Sequence, residues 1–600
     1  MKIKKILLSS LLSLFLGYNI TNSQEKDTTK TYSLEEVVVI GNKKDDKKLL
    51  NERSSLETIY NNDVNKTLLN QPGVNTAMPI LSTLSIHSLP SDQFAGFYYG
   101  NIRIMGRTTQ MQGAYSIINP DLAEVELEKI SYSTKYDDLG GIIKIIPKKY
   151  YGNKIKFKLS SDLVQRIITL NAPVDVSEIR LHGSTSTSVR NIEAIELLEK
   201  IVPETKLLPK IMEIQNYSNL DINGTRLEIN YRKAIEENNY NGQKEYDISK
   251  INESSIQDLI IIQYNYPLEN FDIKTSFAYE YDNLSSNENF KDIEHETELK
   301  TKNTTLALEF SDKNNNYKAG LSTYLMRTNQ MDKSKDIDVL RMYTEANYIY
   351  ENLLFKPSFG VAEFHGAFAG LYGLNISYLP EDLSLTFGFN HIANFLIHNN
   401  GLIGSVSKLN EEIKPQTADH YSFLVNYRKG FFDNIELLLY RKNFDANFNG
   451  EISKGFVNGM DFLFSKEGKF NYKFISSVSN SNVNGHKIPG AVDKIFELSS
   501  NSKIFDNLEL ITQLRYQDGI YHKNKENNDY ERLNNSIYLN LGGRTAISLV
   551  SNEVSLSFTI YNLLYPFGQK NEIARYKDAK NNINSVRMPI WANVGVYYKF

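Results

Sequence analysis

"EVSLSFTIYN", residues 553–562, sets the reading of the chain. Val554, Leu556, Phe558 and Ile560 fall on one side of an extended backbone, and Ser555, Ser557 and Thr559 on the other. Side chains alternate across a strand, so a period of two with one apolar face predicts an antiparallel strand whose faces meet different surroundings. The pattern recurs. In "FDIKTSFAYEYD" (271–282), Ile273, Phe277, Tyr279 and Tyr281 oppose Asp272, Lys274, Ser276, Ala278 and Glu280. "TTLALEFS" (304–311) and "NIELLLYRK" (434–442) behave in the same way. From about residue 154 onward such segments are separated by polar turns rich in Asn, Asp, Lys and Gly. The last of them, "WANVGVYYKF" (591–600), puts Ala592, Val594, Val596, Tyr598 and Phe600 on one face and stops at an aromatic residue.

A large soluble sandwich or propeller would also alternate. Two further features favour a barrel in a membrane. Tyr and Phe cluster near strand ends, where an interfacial girdle would place them. The N-terminus carries Lys2, Lys4 and Lys5, then an apolar run from Ile6 to Leu16, then Thr21 and Ser23 ahead of Gln24. That is the layout of a secretory leader over residues 1–23, too short for a membrane helix. An exported chain of 600 residues with no later apolar helix is read as either soluble or a β-barrel. The terminal strand, with Gly595 five residues before Phe600 and Tyr598 on the same face, has the form of a signal for the outer-membrane insertion machinery.

The totals exclude other classes. The net charge of −4 lacks the basic surplus of a nucleic-acid binder. With no cysteine there is no disulfide, thiolate metal site or lipidated cysteine. There is no Gly-x-Ser-x-Gly, no His-Glu-x-x-His and no phosphate-binding loop. His391 and His398 are the closest histidines, and on a strand their spacing of seven separates them too far for one metal ion, so they read as girdle or loop residues. No cofactor and no enzymatic chemistry are expected.

One stretch departs from the alternation. "RNIEAIELLEKIVPETKLLPKI" (190–211) spaces Ile192, Ile195, Leu198 and Ile201 like a helix face, and fits either a helical excursion in an outer loop or two irregular strands. Residues 49–150 differ in kind. They read as a compact α/β segment: "DVNKTLLNQPGVNT" (63–76) as a short helix ending at Pro72-Gly73, "IRIMGRTT" (102–109) as a strand and turn, and "LGGIIKIIPKKY" (139–150) as a glycine pair leading into a strand.

In their order these segments resemble the plug domain of TonB-dependent outer-membrane receptors. The resemblance rests on Leu68-Leu69-Asn70-Gln71-Pro72-Gly73-Val74, Ile102-Arg103, Val125-Glu126-Leu127 and Gly140-Gly141-Ile142-Ile143. "INPDLAEVEL" (118–127) is similar to a Bacteroidetes variant, and "NEEIKPQTADHYSFLVNY" (410–427) and "NGHKIPGAVDKIFEL" (484–498) resemble barrel segments of the family. The pattern is broken where Ile104 replaces a glycine, where a strand is missing or compressed within Thr108–Ile118, and where "KISYSTKYDD" (129–138) replaces a Gly-Pro turn, which implies a shortened plug.

The resemblance also explains "TYSLEEVVVIGNKKDDKK" (31–48), a strand-ready run between polar flanks. Leu34, Glu35, Glu36, Val37, Val38, Val39 and Ile40 resemble the TonB box, which pairs as an added strand with TonB and its inner-membrane energising complex. The implied architecture is mainly β. It has a leader (1–23), a periplasmic segment with box and linker (24–48), a plug (49–150) inside the barrel, and a transmembrane antiparallel barrel of 22 strands (151–600) in the lipid bilayer of the cell outer membrane. The implied function is uptake of a small nutrient ligand such as a siderophore, cobalamin or haem; a passive porin and, further off, an outer-membrane enzyme are the alternatives. Deleting Phe600 is expected to lower the amount of heat-modifiable barrel in outer-membrane fractions; unchanged levels would show that the terminal signal lies elsewhere.

Overall fold

The computed structural model describes the chain between Leu68 and Lys599, apart from 77–83, 91–94, 105–118, 194–209, 242–247, 395–414, 524–529, 565–571 and several stretches of five residues or fewer. The leader, Leu34–Ile40, His398 and Phe600 lie outside the described residues.

From Lys156 each barrel strand pairs antiparallel with the next barrel strand, the hairpins Tyr521–Lys523 with Tyr530–Arg532 and Glu572–Lys577 with Ile583–Arg587 standing apart within the long connections, and the ring closes where Trp591–Lys599 meets Lys156–Ser161. The seam is short: Val596↔Ser161, Tyr597↔Ser160, Tyr598↔Leu159 and Lys599↔Lys158. Lys333–Ala346 and Tyr348–Tyr350 both pair with Leu353–Phe364, so they are one strand interrupted at Asn347, and the ring has 22 strands. Pro357, on the facing strand beside the break, offers no N–H to the ladder. The Asn347 N–H donates to Asn316 O at 2.7 Å, which continues the pairing with Tyr317–Gln330 on the other side.

The strands are inside out relative to a soluble sheet. Leu556 and Phe558 are 41% and 39% exposed, whereas Ser555, Ser557 and Thr559 are buried. Apolar residues face outward toward lipid and small polar residues face the lumen, as a transmembrane barrel requires. Val594 and Val596 are likewise exposed, and Gly595 between them is buried. One rim carries tight turns such as Asn223-Gly224 and Glu351-Asn352; the chain enters the barrel there and its last strand ends there. Exposed Tyr266, Phe271, Tyr317, Tyr348, Tyr378 and Phe470 sit at strand ends near this rim, as the girdle reading expected. The opposite rim bears the long connections, 193–209, 395–415, 518–535 and 562–590. Residues 190–192 end the strand Leu181–Ile192 and 210–211 begin Lys210–Ile222, so both ends of the helix-like stretch are strand; 194–209 lie outside the described residues.

Before the barrel come two small sheets. Val74–Thr76, Leu84–Ile86 and Leu89–Pro90 form the first. The second runs in the order Ile102–Ile104, Ala95–Tyr99, Gly141–Pro147, Ala123–Glu128, with the middle pair parallel. The expected helix at 63–76 is, among the described residues, a single 3-10 turn at Leu68–Asn70 followed by the Pro72-Gly73 turn. Leu68, Val74, Ile86, Ile102, Val125 and Ile143 share one buried core. Gly141 lies at the contact between the sheets, where a Cβ would come within 3.3 Å of the Ile86 side chain and 3.2 Å of Glu128 O.

Leu556→Arg, on the lipid face, is expected to cost about 2–4 kcal/mol near mid-membrane and to reduce assembled barrel, whereas Ser557→Ala should assemble normally. Heat-modifiable migration on a gel reads both.

Candidate functional site

A lumen lined by polar side chains cannot hold a domain by apolar burial alone, so the plug's polar groups must find partners on the wall. They do so on many of the strands. On one side Asn119 Nδ2 donates to Ser188 Oγ at 2.9 Å, and Asp121 takes Thr169 Oγ1 at 2.8 Å and the Lys158 ammonium. Burial alone would raise the Asp121 pKa, but Lys158 and Thr169 hold it below the ordinary carboxylate value. Farther round, Asn101 Oδ1 accepts from Ser276 Oγ at 2.7 Å, Lys135 Nζ pairs with Glu309 at 2.6 Å, and Arg341 Nη1 donates to Thr134 O at 3.3 Å.

The densest docking involves the first sheet and the turn before it. The stretch Leu68–Val74 exposes several main-chain carbonyls, and cations converge on them. Arg515 donates to Leu69 O at 3.0 Å and to Val74 O at 2.9 Å, while also pairing with Glu497 at 2.8 Å. Lys473 Nζ donates to Asn70 O at 2.5 Å, and the plug's own Lys129 donates to Pro72 O at 3.1 Å.

Asp461, 1% exposed on the wall, is the centre of this region. Its Oδ2 accepts from His87 Nε2 and from Lys129 Nζ, each at 2.9 Å, and its Oδ1 accepts from Ser477. His87 stacks on Tyr440 with centroids 3.7 Å apart. Lys442 donates to Lys129 O at 2.9 Å and to Gly140 O, and His420 Nε2 donates to Leu139 O at 2.9 Å.

This packing accounts for Gly73. Its φ is +75°, and an added Cβ would lie 2.5 Å from His87 Cδ2 and 2.7 Å from Asp461 Oδ2. Only glycine allows both the turn and the approach. The hairpin that presents His87 is strained as well. His87 and Ser88 form its two-residue turn with φ of 50° and 62°, a conformation that ordinarily calls for Asn-Gly. The wall holds the turn in place: Asp461 and Tyr440 take His87, and Ser88 Oγ lies 2.6 Å from Ser479 Oγ and donates to Val492 O at 2.9 Å. Val492 belongs to the connection 484–493, which folds inward onto the plug and buries Ile488 and Ala491 against Leu89.

Of the residues singled out in the sequence, Pro72, Gly73, Gly140 and Gly141 gather at this seam. Arg103 is buried on the second sheet, opposite Tyr98. His391 is on the outer face, stacked on Tyr372 and bonded to Asp419 at 2.7 Å. His87, Lys129, Lys442, Asp461 and Arg515 carried no sequence signal, because their partners lie hundreds of residues away. The "KISYSTKYDD" stretch, where the resemblance fails, supplies Lys129, Thr134 and Lys135.

No protein-family profile and no curated protein matches the sequence. Solved structures do match its fold. The FrpB iron transporter from Neisseria meningitidis aligns over 90% of this chain and 96% of its own, at TM-score 0.70 and 11% identity. The ferric citrate transporter FecA in its unliganded form aligns over 90% and 94%, at 0.69 and 12%. The siderophore receptor PiuA from Acinetobacter baumannii aligns over 89% and 94%, at 0.66 and 12%. The chain therefore has the fold of these plugged 22-stranded barrels.

Asp461→Ala strands Lys129 against the wall and removes the His87 acceptor. Breaking a buried pair in this way is expected to weaken docking by about 3–5 kcal/mol, seen as faster proteolysis within the plug and entry of vancomycin. Burial pushes the His87 imidazole down to about 4, with Lys442 and Lys129 adding to the shift against the pull of Asp461. An undocked imidazole titrates near 6.5 and binds the extra proton first, so docking is constant above that pH and weakens as pH falls toward 4, by about 3 kcal/mol in all. His87→Gln should flatten that part of a proteolysis-versus-pH profile; an unchanged profile would show that His87 does not govern it.

Proposed function

We propose that this chain is an outer-membrane receptor of the TonB-dependent kind, which captures a scarce nutrient at the rim of long connections and passes it inward when TonB pulls on Leu34–Ile40. The observation that carries this reading is a closed 22-stranded barrel whose lumen holds an N-terminal domain fastened by polar, reversible bonds. A passive pore has no use for such a domain. Hydrogen bonds and ion pairs exchanged for water cost little net free energy, so a plug held this way is movable by an applied force. The similar structures are described as an iron transporter, a ferric citrate transporter and a siderophore receptor, which supports a small chelated nutrient as cargo, with a siderophore, haem or cobalamin as the classes to test. A secretory leader over 1–23, delivery by the insertion machinery and the absence of covalent chemistry belong to the same proposal. So do a Bacteroidetes-type sequence variant and a shortened plug, supported by "INPDLAEVEL" and by Ile104 in place of glycine; 105–118 lie outside the described residues.

The box assignment rests on main-chain pairing, and proline removes a ladder donor. Val38→Pro is expected to abolish energised uptake of a ferric siderophore mixture while leaving assembly and surface binding unchanged. Val38→Ile should transport normally. Uptake by the proline variant would end the assignment, and lost uptake with new vancomycin sensitivity would move this stretch into the plug.

A further inference from the structure

A hollow of about 590 Å³ lies on the lipid side of the wall, across the strands from Leu383–Asn394 to Phe470–Val483. Register sorts its lining into two rows. Phe387, Phe423, Leu439, Met460 and Val478 stand side by side across the ladders. The next row toward the rim of long connections runs from Phe389 through Tyr421, Arg441 and Asn458 to Asn480. The first row is wholly apolar. The second starts aromatic and ends in a cation and two amides. Leu439, Met460, Tyr421, Arg441, Asn458 and Asn480 are all exposed outward.

The second row marks the edge of the hydrocarbon. Tyr372, Phe389 and Tyr421 follow one another there, with ring centroids 5.7 and 5.1 Å apart, as in an interfacial girdle. An arginine on the lipid face is expensive at mid-membrane and nearly free at this level. The Arg441 guanidinium has spare donors. Its Nε donates to Asn443 Oδ1 at 2.9 Å, and its Cζ lies 5.9 Å from the centre of the Phe456 ring. Among the described residues it pairs with no carboxylate. Asp419, one row farther out, is bonded to His391 at 2.7 Å, and Asp445, two rows out, faces Lys454 across the ladder. Asn480 accepts from Lys487 Nζ at 2.9 Å, and Lys487 is itself paired with Asp493 at 3.0 Å.

We propose that this hollow seats one phosphate-bearing lipid of the surrounding leaflet, with an acyl chain against Leu439, Met460 and Val478 and the phosphate on Arg441. The order of the rows matches a lipid standing in a bilayer, chain toward the middle and headgroup toward the rim. A recess open to hydrocarbon loses dispersion contacts if it stays empty, so a chain enters it. A guanidinium fork matches two phosphate oxygens, and its charge complements theirs. The amides of Asn458 and Asn480 offer further donors in the same row. The inference rests on the barrel spanning an outer membrane and is independent of transport.

The test uses the full-length protein in a non-ionic detergent, with bound lipid counted by native mass spectrometry. The probe is dioleoyl phosphatidic acid. Dioleoylglycerol supplies the same chains without the phosphate, and inorganic phosphate supplies the anion without chains. Retention of one phosphatidic acid is expected, falling roughly tenfold in Arg441→Gln and, on the native chain, roughly tenfold for dioleoylglycerol, because a charge-assisted pair is lost. Met460→Trp fills the apolar end and should lose the lipid while keeping Arg441. Arg327→Gln removes another outward cation, paired with Asp336 at 3.3 Å, and should bind as the native chain does. Heat-modifiable migration confirms that each variant is assembled. Full retention by Arg441→Gln or by Met460→Trp would overturn the seat. So would an equal loss in Arg327→Gln, which would mark a general effect of charge, or displacement of the lipid by inorganic phosphate, which would mark a site for the free anion. None of these outcomes bears on uptake, which Val38→Pro tests separately.

Discussion

A backbone amide facing hydrocarbon finds no water, so a sheet that crosses a bilayer must leave no edge. Everything else in this molecule follows from that closure. Twenty-two strands enclose a lumen wide enough for a folded domain, and the seam between Trp591–Lys599 and Lys156–Ser161 completes the ring. Closure also assigns the faces. Leucine, phenylalanine and valine go to the lipid, and serine, threonine and asparagine go inside, the reverse of a soluble core. Beside Pro357, which offers no ladder donor, the pairing on that side lapses for one residue, while Asn347 keeps its bond to Asn316 on the other side.

The polar lumen in turn dictates how the plug is held. Its small core of Leu68, Val74, Ile86, Ile102 and Ile143 binds the two sheets to one another. That core runs on into wall residues such as Ile192, Ile261 and Ile511, and the wall adds polar contacts. Asp461 gathers His87 and Lys129, Arg515 and Lys473 cap main-chain carbonyls, and a strained His87-Ser88 turn is kept in place by what it touches. Desolvation offsets most of the attraction in such pairs, so they fix position more than they add stability. Once one contact is lost, its partner is left buried and unmatched, and the strained turn is free to relax. Attachment of this kind fixes where the plug sits.

The uneven distribution of these bonds gives the wall a direction. The first sheet and its leading turn are fastened to strands between Asn434 and Gln517, and the second sheet mainly to strands between Lys156 and Glu345.

The sequence alone determined what depends on neighbours in the chain. The alternation in "EVSLSFTIYN" fixed which residues share a face, because the strand period is two whatever the sheet does. Pro72-Gly73 was legible as a turn and the Gly140-Gly141 pair as the lead into a strand. Of the short helix expected within 63–76 and ending at Pro72-Gly73, the described residues show a 3-10 turn at Leu68–Asn70 leading into that turn, with barrel cations on Leu69 O and Asn70 O; 63–67 lie outside the described residues. Tertiary structure decided the rest. Alternation cannot say which face is inside, and only closure shows the apolar one to be outermost. Nor can a local pattern reveal that His87 meets Asp461 or that Arg515 meets Leu69. Those facts depend on which strands the ring brings opposite one another, and each couples residues that lie far apart along the chain.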